Sequence, residues 1–482
     1  MRAMSIASLL GLLVLATSAL SETSPPPATT ATQDSQPALT RQERVFGLAT
    51  FHAAAKQHFA WFEKASDLDW DKAFMDFLPL VEEEQTTLEY YRTLQRFAAL
   101  LRDGHTEVHL PQDIQKQQDR LPLTLGFIEG QWVVLERHPT EEILAEDIPP
   151  GTILLAVDGA EPTRYFEANV FPYIAAGSDQ AKRTRLNWMW TMSKGEQVPL
   201  TLRYPDGKQT TRTLRASRRS VKWTDALREK YLLAWHRDPQ FGSSFVAEGI
   251  LHVRYGTCDQ KCLEAFGDLL ASLSSEQLRG MILDLRGNPG GSTPVKAAGR
   301  LISKPIPWYA CRSRWSASYY QAQTQALSQA DKAAYLKWHG LPATFGPDWL
   351  DVTPQGPIQP EANHYDGPLV ILIDAETGSA AEDLVVLLHG CGRATVIGER
   401  SAGSTGQPML MDLPGGGGAR ICTIQVRYPD GREFIGPGIR PDVPVTRTLK
   451  AIAEGRDEVL QAAIQFLQSA PSAAPASAPA HN

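Results

Sequence analysis

The period of apolar and polar positions changes several times along the chain, and each change marks a different kind of element. Between 41 and 101 apolar residues recur at helical spacing. Val45, Leu48, Ala49 and His52 share one face, and Tyr90, Leu94, Phe97, Ala98 and Leu101 share another. The spacing predicts helices from 41, over 70–77 after the Asp67-Leu68-Asp69 start signal, and over 87–101, the last stopped by Gly104. From 121 to about 219 the pattern shortens to strands. Asp158-Gly159 and Asp206-Gly207 read there as hairpin turns, with an irregular helical stretch over 165–190 between them. Past a charged helical connector at 221–236, buried-type strands at 249–255, 280–285, 369–373 and 394–398 alternate with helices at 263–273, 294–302, 328–338 and 380–389. A hairpin around Pro429-Asp430-Gly431 and a helix over 449–467 close the series. Such alternation predicts an α/β core with several parallel strands.

The expected fold class is therefore multidomain, α+β and α/β. A helical domain over 41–115 precedes a β-rich module over 116–219, an α/β core over 220–450 and a C-terminal helix over 451–468. Residues 1–21, with Arg2 before an apolar run at 6–16 and small residues Ala19 and Ser21, read as a secretory signal peptide too short to span a bilayer. Export is thus expected, to the periplasm of a Gram-negative cell or otherwise to the medium. The Pro/Thr/Ser-rich stretch 22–40 reads as a disordered linker and 469–482 as a disordered tail.

Composition narrows the function classes. With 482 residues, 43% of them apolar, the chain can bury a large core. Its net charge of −7 and lack of a long basic run argue against nucleic acid or an anionic membrane as the main partner. Of five cysteines, Cys258 and Cys262 are near enough in sequence to pair if the backbone allows, and the odd count leaves a thiol free. Neither paired CxxC motifs nor a histidine cluster indicates zinc, and no metal or organic cofactor is implied.

The candidate chemistry lies in three places. Ser379 sits between a buried strand and a helix, where unpaired N–H groups at the helix start favour a nucleophile whose intermediate carries an oxyanion. Ser379-x-x-Glu382 is equally a capping box. The loop Arg286-Gly287-Asn288-Pro289-Gly290-Gly291 is either an anion-binding nest or a plain tight turn. His105 at a helix end is either a dipole partner or a base, and His109 has only the first reading.

Taken together, DLRGNPGG, TGSAAEDL, VIGERSAGSTGQP and GPGIRPDV resemble the C-terminal-processing (tail-specific) serine peptidase family, and LLRDGHTEV upstream fits the same arrangement. The stretch 148–162, IPPGTILLAVDGAEP, resembles part of a PDZ domain, a module that adds extended peptides to a sheet edge. The resemblance implies a ClpP/crotonase-like spiral core with Ser379 as nucleophile and an oxyanion hole made by Ala380 N–H with that of Gly290 or Gly291. One branch of the family uses a lysine 25 residues after the serine, where this chain has Ser404. The other branch, similar to the tricorn core and the retinoid-binding-protein repeats, takes a histidine from the helical part, which implies His105 as base. That branch carries a serine where this chain has Gly104 and a glutamate where it has Ile435. Glu433 is the nearest candidate acid, its other reading being a solvated hairpin glutamate.

The implied function is an exported serine endopeptidase that cleaves extended or partly unfolded peptides by acyl transfer, of Ser–His rather than Ser–Lys type. Its partner would be a peptide or protein. A catalytically weak relative binding an apolar ligand or peptide, or a scaffold module, are the alternatives. The Trp/Tyr-bearing segment 305–366 is either a wall over the site or packing.

Overall fold

The computed structural model describes residues 38–469 apart from 139, 141–147, 218–221, 223, 234–235, 237–239, 274–277, 293, 315–327, 329–330 and 332–348. The expected signal peptide, most of the linker, nearly all of the helix over 328–338 and the tail lie outside the described residues.

The N-terminal helices run Arg41–His58, Trp70–Glu82 and Thr87–Ala99. The first and third open on capping boxes, Thr40 with Glu43 and Thr86 with Glu89. They meet through Phe51, Trp70 and Phe97, the last two stacked with centroids 4.2 Å apart. Leu39, expected in the linker, is already buried in the same cluster. That cluster continues into the α/β core, so these helices share one hydrophobic interior with it, whereas the β-rich module has its own.

The module is a five-stranded antiparallel sheet in the order Leu123–Ile128, Gln131–Arg137, Ile153–Val157, Gln197–Arg203, Gln209–Arg215. Trp132, Phe166, Leu186 and Leu202 fill its interior beneath the Pro162–Asn169 and Asp179–Met189 helices. Asp206-Gly207 turns a hairpin as expected, and Asp158-Gly159 also makes its two-residue turn, Val157 and Ala160 exchanging both backbone hydrogen bonds at 2.9 Å, but no second strand follows it. There Pro162 and the Glu161 carboxylate, which accepts from the N–H groups of Thr163 and Arg164, start a helix, and Ile153–Val157 pairs with a strand far downstream.

The core is a six-stranded sheet in the order Val443–Pro444, Thr395–Gly398, Leu369–Ile373, Gly280–Asp284, Ile250–Tyr255, Phe241–Ala247. All neighbours are parallel except the last pair. Gly280–Asp284 and Leu369–Ile373 are buried at every position, as a parallel sheet covered on both faces requires. The Gln260–Ser272, Val295–Gly299 and Ala380–Gly390 helices cover one face, and Glu458–Ser469 covers the other through Val459, Ala463 and Leu467. The single helix expected over 449–467 is broken: Leu449–Glu454 ends on Gly455, whose φ of +68° is left-handed. Around Pro429-Asp430-Gly431 the chain turns without a second strand.

Two three-stranded sheets flank the core. Ala310–Arg314 lies between Trp349–Asp351 and Ile424–Arg427 in one, and Gly417–Cys422 lies between Glu107–His109 and Pro408–Leu413 in the other. The second joins the N-terminal part to the core. All five cysteines are free: Cys262 Sγ donates to the Gln240 carbonyl, and Cys258 Sγ packs against Asn288. No helix among the described residues is long and apolar enough to cross a membrane.

Candidate active site

The turn after Leu369–Ile373 is tied down by Asp374. One of its carboxylate oxygens accepts the N–H groups of Gly287, Glu376 and Thr377, and Thr377 donates its hydroxyl to the Leu285 carbonyl. The chain then enters Ser379 at φ 54°, ψ −129°, a region that a residue with a Cβ rarely occupies. Ser379 N–H donates to the Ser404 carbonyl. The Ser379 side chain makes no capping bond. So the capping-box reading fails, and the hydroxyl is left 3.1 Å from His105 Nε2.

His105 comes from the far side of the sequence. Asp103 accepts its N–H and the Thr106 hydroxyl, while Gly104 offers its carbonyl to Arg185 at 2.8 Å and Arg420 at 3.1 Å. Thr106 Oγ1 accepts from Cys422 N–H, after which Glu107–His109 pairs in register with Gly417–Cys422, Glu107 opposite Arg420. This ladder sets the imidazole on the nucleophile. Its Nδ1 stands 2.6 Å from Ser404 Oγ. A Cβ on Gly104 would lie 2.6 Å from that hydroxyl and 2.4 Å from Arg185 Nη2, so Ser404 fills the space a side chain at 104 would need. Burial, then the cations Arg420 and Arg185, pull the His105 pKa down to about 3. The ring is neutral at neutral pH.

Ser404 is held in turn by Glu382. The buried carboxylate accepts the N–H groups of Gly403 at 2.8 Å and Ser404 at 2.9 Å, and the Ser401 hydroxyl. Burial pushes this carboxyl up to about 7 while those donors oppose the shift. The glycine loop packs directly on the nucleophile: a Cβ on Gly290 would lie 2.5 Å from Ser379 Cβ. Gly290 N–H is occupied by Asn288 Oδ1 at 2.9 Å. The N–H groups of Gly291 and Ala380 have no hydrogen-bond partner among the described residues.

The structure thus brings together Ser379, His105, Ala380, Gly290 and Gly291. It does not bring Glu433. Its carboxylate holds Lys64 at 2.8 Å and Arg427 at 2.6 Å, which keep its pKa low, and the candidate acid is corrected to a solvated ion-pair residue. His109 is half exposed beside Glu107. Sequence reasoning missed the parts played by Ser404, Glu382, Arg185 and Arg420. The spacing from Ser379 had pointed to position 404, but nothing local marks Arg185, which arrives on the module's Asp179–Met189 helix. Ser379 and His105 open into a cleft of about 460 Å³ whose walls include Ser404, Arg185, Arg420 and Trp188. No described residue of 305–366 lines it. Among the described residues no cluster of three His, Cys, Asp or Glu is placed to hold a metal ion.

Residues 249–445 match the family model "Peptidase family S41". The chain is 25% identical over 376 residues to the carboxyl-terminal-processing protease of Picosynechococcus sp., covering 74% of this chain and 73% of that protein. It is 28% identical over 200 residues to the carboxy-terminal-processing protease of Bartonella bacilliformis, but there it covers 41% of this chain and only 38% of the relative. Mature CPAF complexed with lactacystin is a solved structure of similar fold, with a TM-score of 0.68 at 15% identity over 89% of this chain and 99% of the other.

Proposed function

From the premise that the chain carries a peptidase family S41 domain over residues 249–445, we propose an exported serine peptidase of Ser–His type, acting on extended peptides. The observation that carries this reading is the hydrogen-bonded line Ser379 Oγ–His105–Ser404 Oγ, at 3.1 and 2.6 Å, beside two unused N–H groups. In this reading Nδ1–H donates to Ser404 Oγ, which fixes the tautomer and turns the Nε2 lone pair towards Ser379. His105 takes the serine proton as Oγ attacks the peptide carbonyl carbon. The oxyanion forms against Gly291 and Ala380 N–H, with Gly290 shaping the loop rather than donating. His105 then returns the proton to the leaving amine and activates water to release the acyl group. The strain at Ser379 and the Glu382-held loop keep these atoms in place before substrate arrives. The module, in this reading PDZ-like, has Leu123–Ile128 as its edge strand, and a peptide adding to it displaces the Asn187 amide that now holds Leu125 N–H and carbonyl. Residues 1–21 direct export.

One observation favours a second reading, a weak or inactive relative that binds peptide or an apolar ligand. An imidazole whose pKa is pulled to about 3 between two arginines is a poor proton acceptor. Fluorophosphonate labelling separates the two. Labelling at Ser379, mapped by mass spectrometry and lost in Ser379→Ala and His105→Ala, is the expected result. Folded wild type that never labels would leave the binding protein.

A further inference from the structure

A second cavity, about 400 Å³, lies between the N-terminal helices and the module and shares a wall with the catalytic cleft: Arg185 and Trp188 line both. Its charged lining is three arginines, Arg92, Arg120 and Arg185, against one glutamate, Glu107. Glu107 is already committed, to Arg420 at 2.7 Å and Arg185 at 3.3 Å. Arg92 is the unusual member. It is half-buried on the Thr87–Ala99 helix, and no carboxylate pairs with it among the described residues. Its two terminal nitrogens donate to neutral groups, Gln95 Oε1 at 2.9 Å and Thr191 Oγ1 at 2.7 Å, and its guanidinium lies over the Tyr173 ring. Burial pulls its pKa down, opposed by its electrostatic interaction with Tyr173.

A guanidinium carries five donors. Two here fix its plane through uncharged partners, so the others are oriented and unspent. Keeping a cation in this position without a counter-ion is unfavourable unless an anion completes it. The rest of the lining is apolar, as at Val108, Ile174 and Met189, or polar, as at Gln115, Gln118 and His109, whose pKa burial lowers, which suits a peptide rather than a hydrated inorganic ion.

We propose that this cavity is a carboxylate-binding site centred on Arg92, taking the chain end or an acidic side chain of a peptide whose scissile bond lies in the adjoining cleft. The inference rests on the peptide-binding part of the proposed function but not on turnover, so it is tested with the full-length Ser379→Ala protein.

Anisotropy would be read with three labelled peptides of one sequence: a free C-terminal acid, its C-terminal amide, and the amide with one added aspartate. A bidentate charged contact predicts that the acid, the aspartate peptide or both bind about tenfold tighter than the plain amide. Which of the two gains identifies the source of the carboxylate. Adding Arg92→Gln should shrink that gain to within about twofold, and Arg92→Lys should keep part of it. Because Arg92 also bonds Gln95 and Thr191, the Ser379→Ala protein, with Arg92 intact, is also treated with phenylglyoxal. The tighter peptide should protect Arg92, and the amide should not. Equal binding of all three peptides overturns the proposal, as does a gain that survives in Arg92→Gln or an Arg92 that no peptide protects. If fluorophosphonate fails to label while these results hold, the catalytic reading has failed and the carboxylate site stands.

Discussion

Ser404 occupies the place where the resembled tail-specific branch keeps its lysine, and the geometry gives it a different task, orienting the imidazole. Ser404→Ala should lower kcat roughly 10- to 100-fold with little change in KM, because the ring then rotates freely while the cleft is intact. Steady-state kinetics on a folded variant check this. The pH dependence follows from His105. Its pKa lies near 3 when folded against an ordinary 6.5, so the acid limb of kcat/KM should sit well below pH 6. Its contribution to stability is complete above about 6.5 and is lost as pH falls towards 3, since only the unfolded chain takes the proton in that window. Arg420→Gln removes a nearby cation and should move the limb upward; a limb that stays put would show that burial alone sets it. At this scale Ser379, His105 and the glycine loop were legible, because strand, turn and motif all mark them. Glu433 was misread. Two residues of separation from Ile435 said nothing about Lys64 and Arg427, which come from other elements.

The element that completes the site is the short strand Glu107–His109. Val108 is buried and His109 half exposed, the alternation of an edge strand laid on a core. Val108→Asp should abolish activity and lower the melting temperature, since an uncompensated carboxylate there costs several kcal/mol of docking. His109→Gln, at a half-exposed position, should leave the melting temperature nearly unchanged. Thermal melts with a peptidase assay distinguish them. Helices with capping boxes and wholly apolar strands were readable from local pattern. Where local signals conflicted, the sequence reading went wrong. Asp158-Gly159 makes its turn, but Pro162 starts a helix where the return strand would run, and Gly455 interrupts a periodicity that otherwise runs through it.

At the scale of the whole molecule, the buried cluster of Asp284, Arg286 and Asp457 links the glycine loop to the segment before the C-terminal helix. Arg286 is 1% exposed and grips both acids. Arg286→Met leaves the buried Asp284 with only His252 and the neighbouring Arg254, and the two acids without the cation between them, and should destabilise the fold by about 3 kcal/mol, measured by chemical denaturation. Ending the chain at Gly455 removes that anchor and uncovers Ile250, Ile282, Val370 and Leu372, so the shortened protein should be recovered as aggregate. The α/β class and the order of parts were legible from period alone. The interleaving was not, because no local pattern states that residue 107 will pair with residue 420. That pairing also sets a clock. As a ribosome delivers the chain, the imidazole is made early and its hydroxyl partner much later, and the ladder that joins them closes only once residue 422 has emerged. Until then His105 and Ser379 are not held against one another, so the geometry of the site belongs to the finished chain alone.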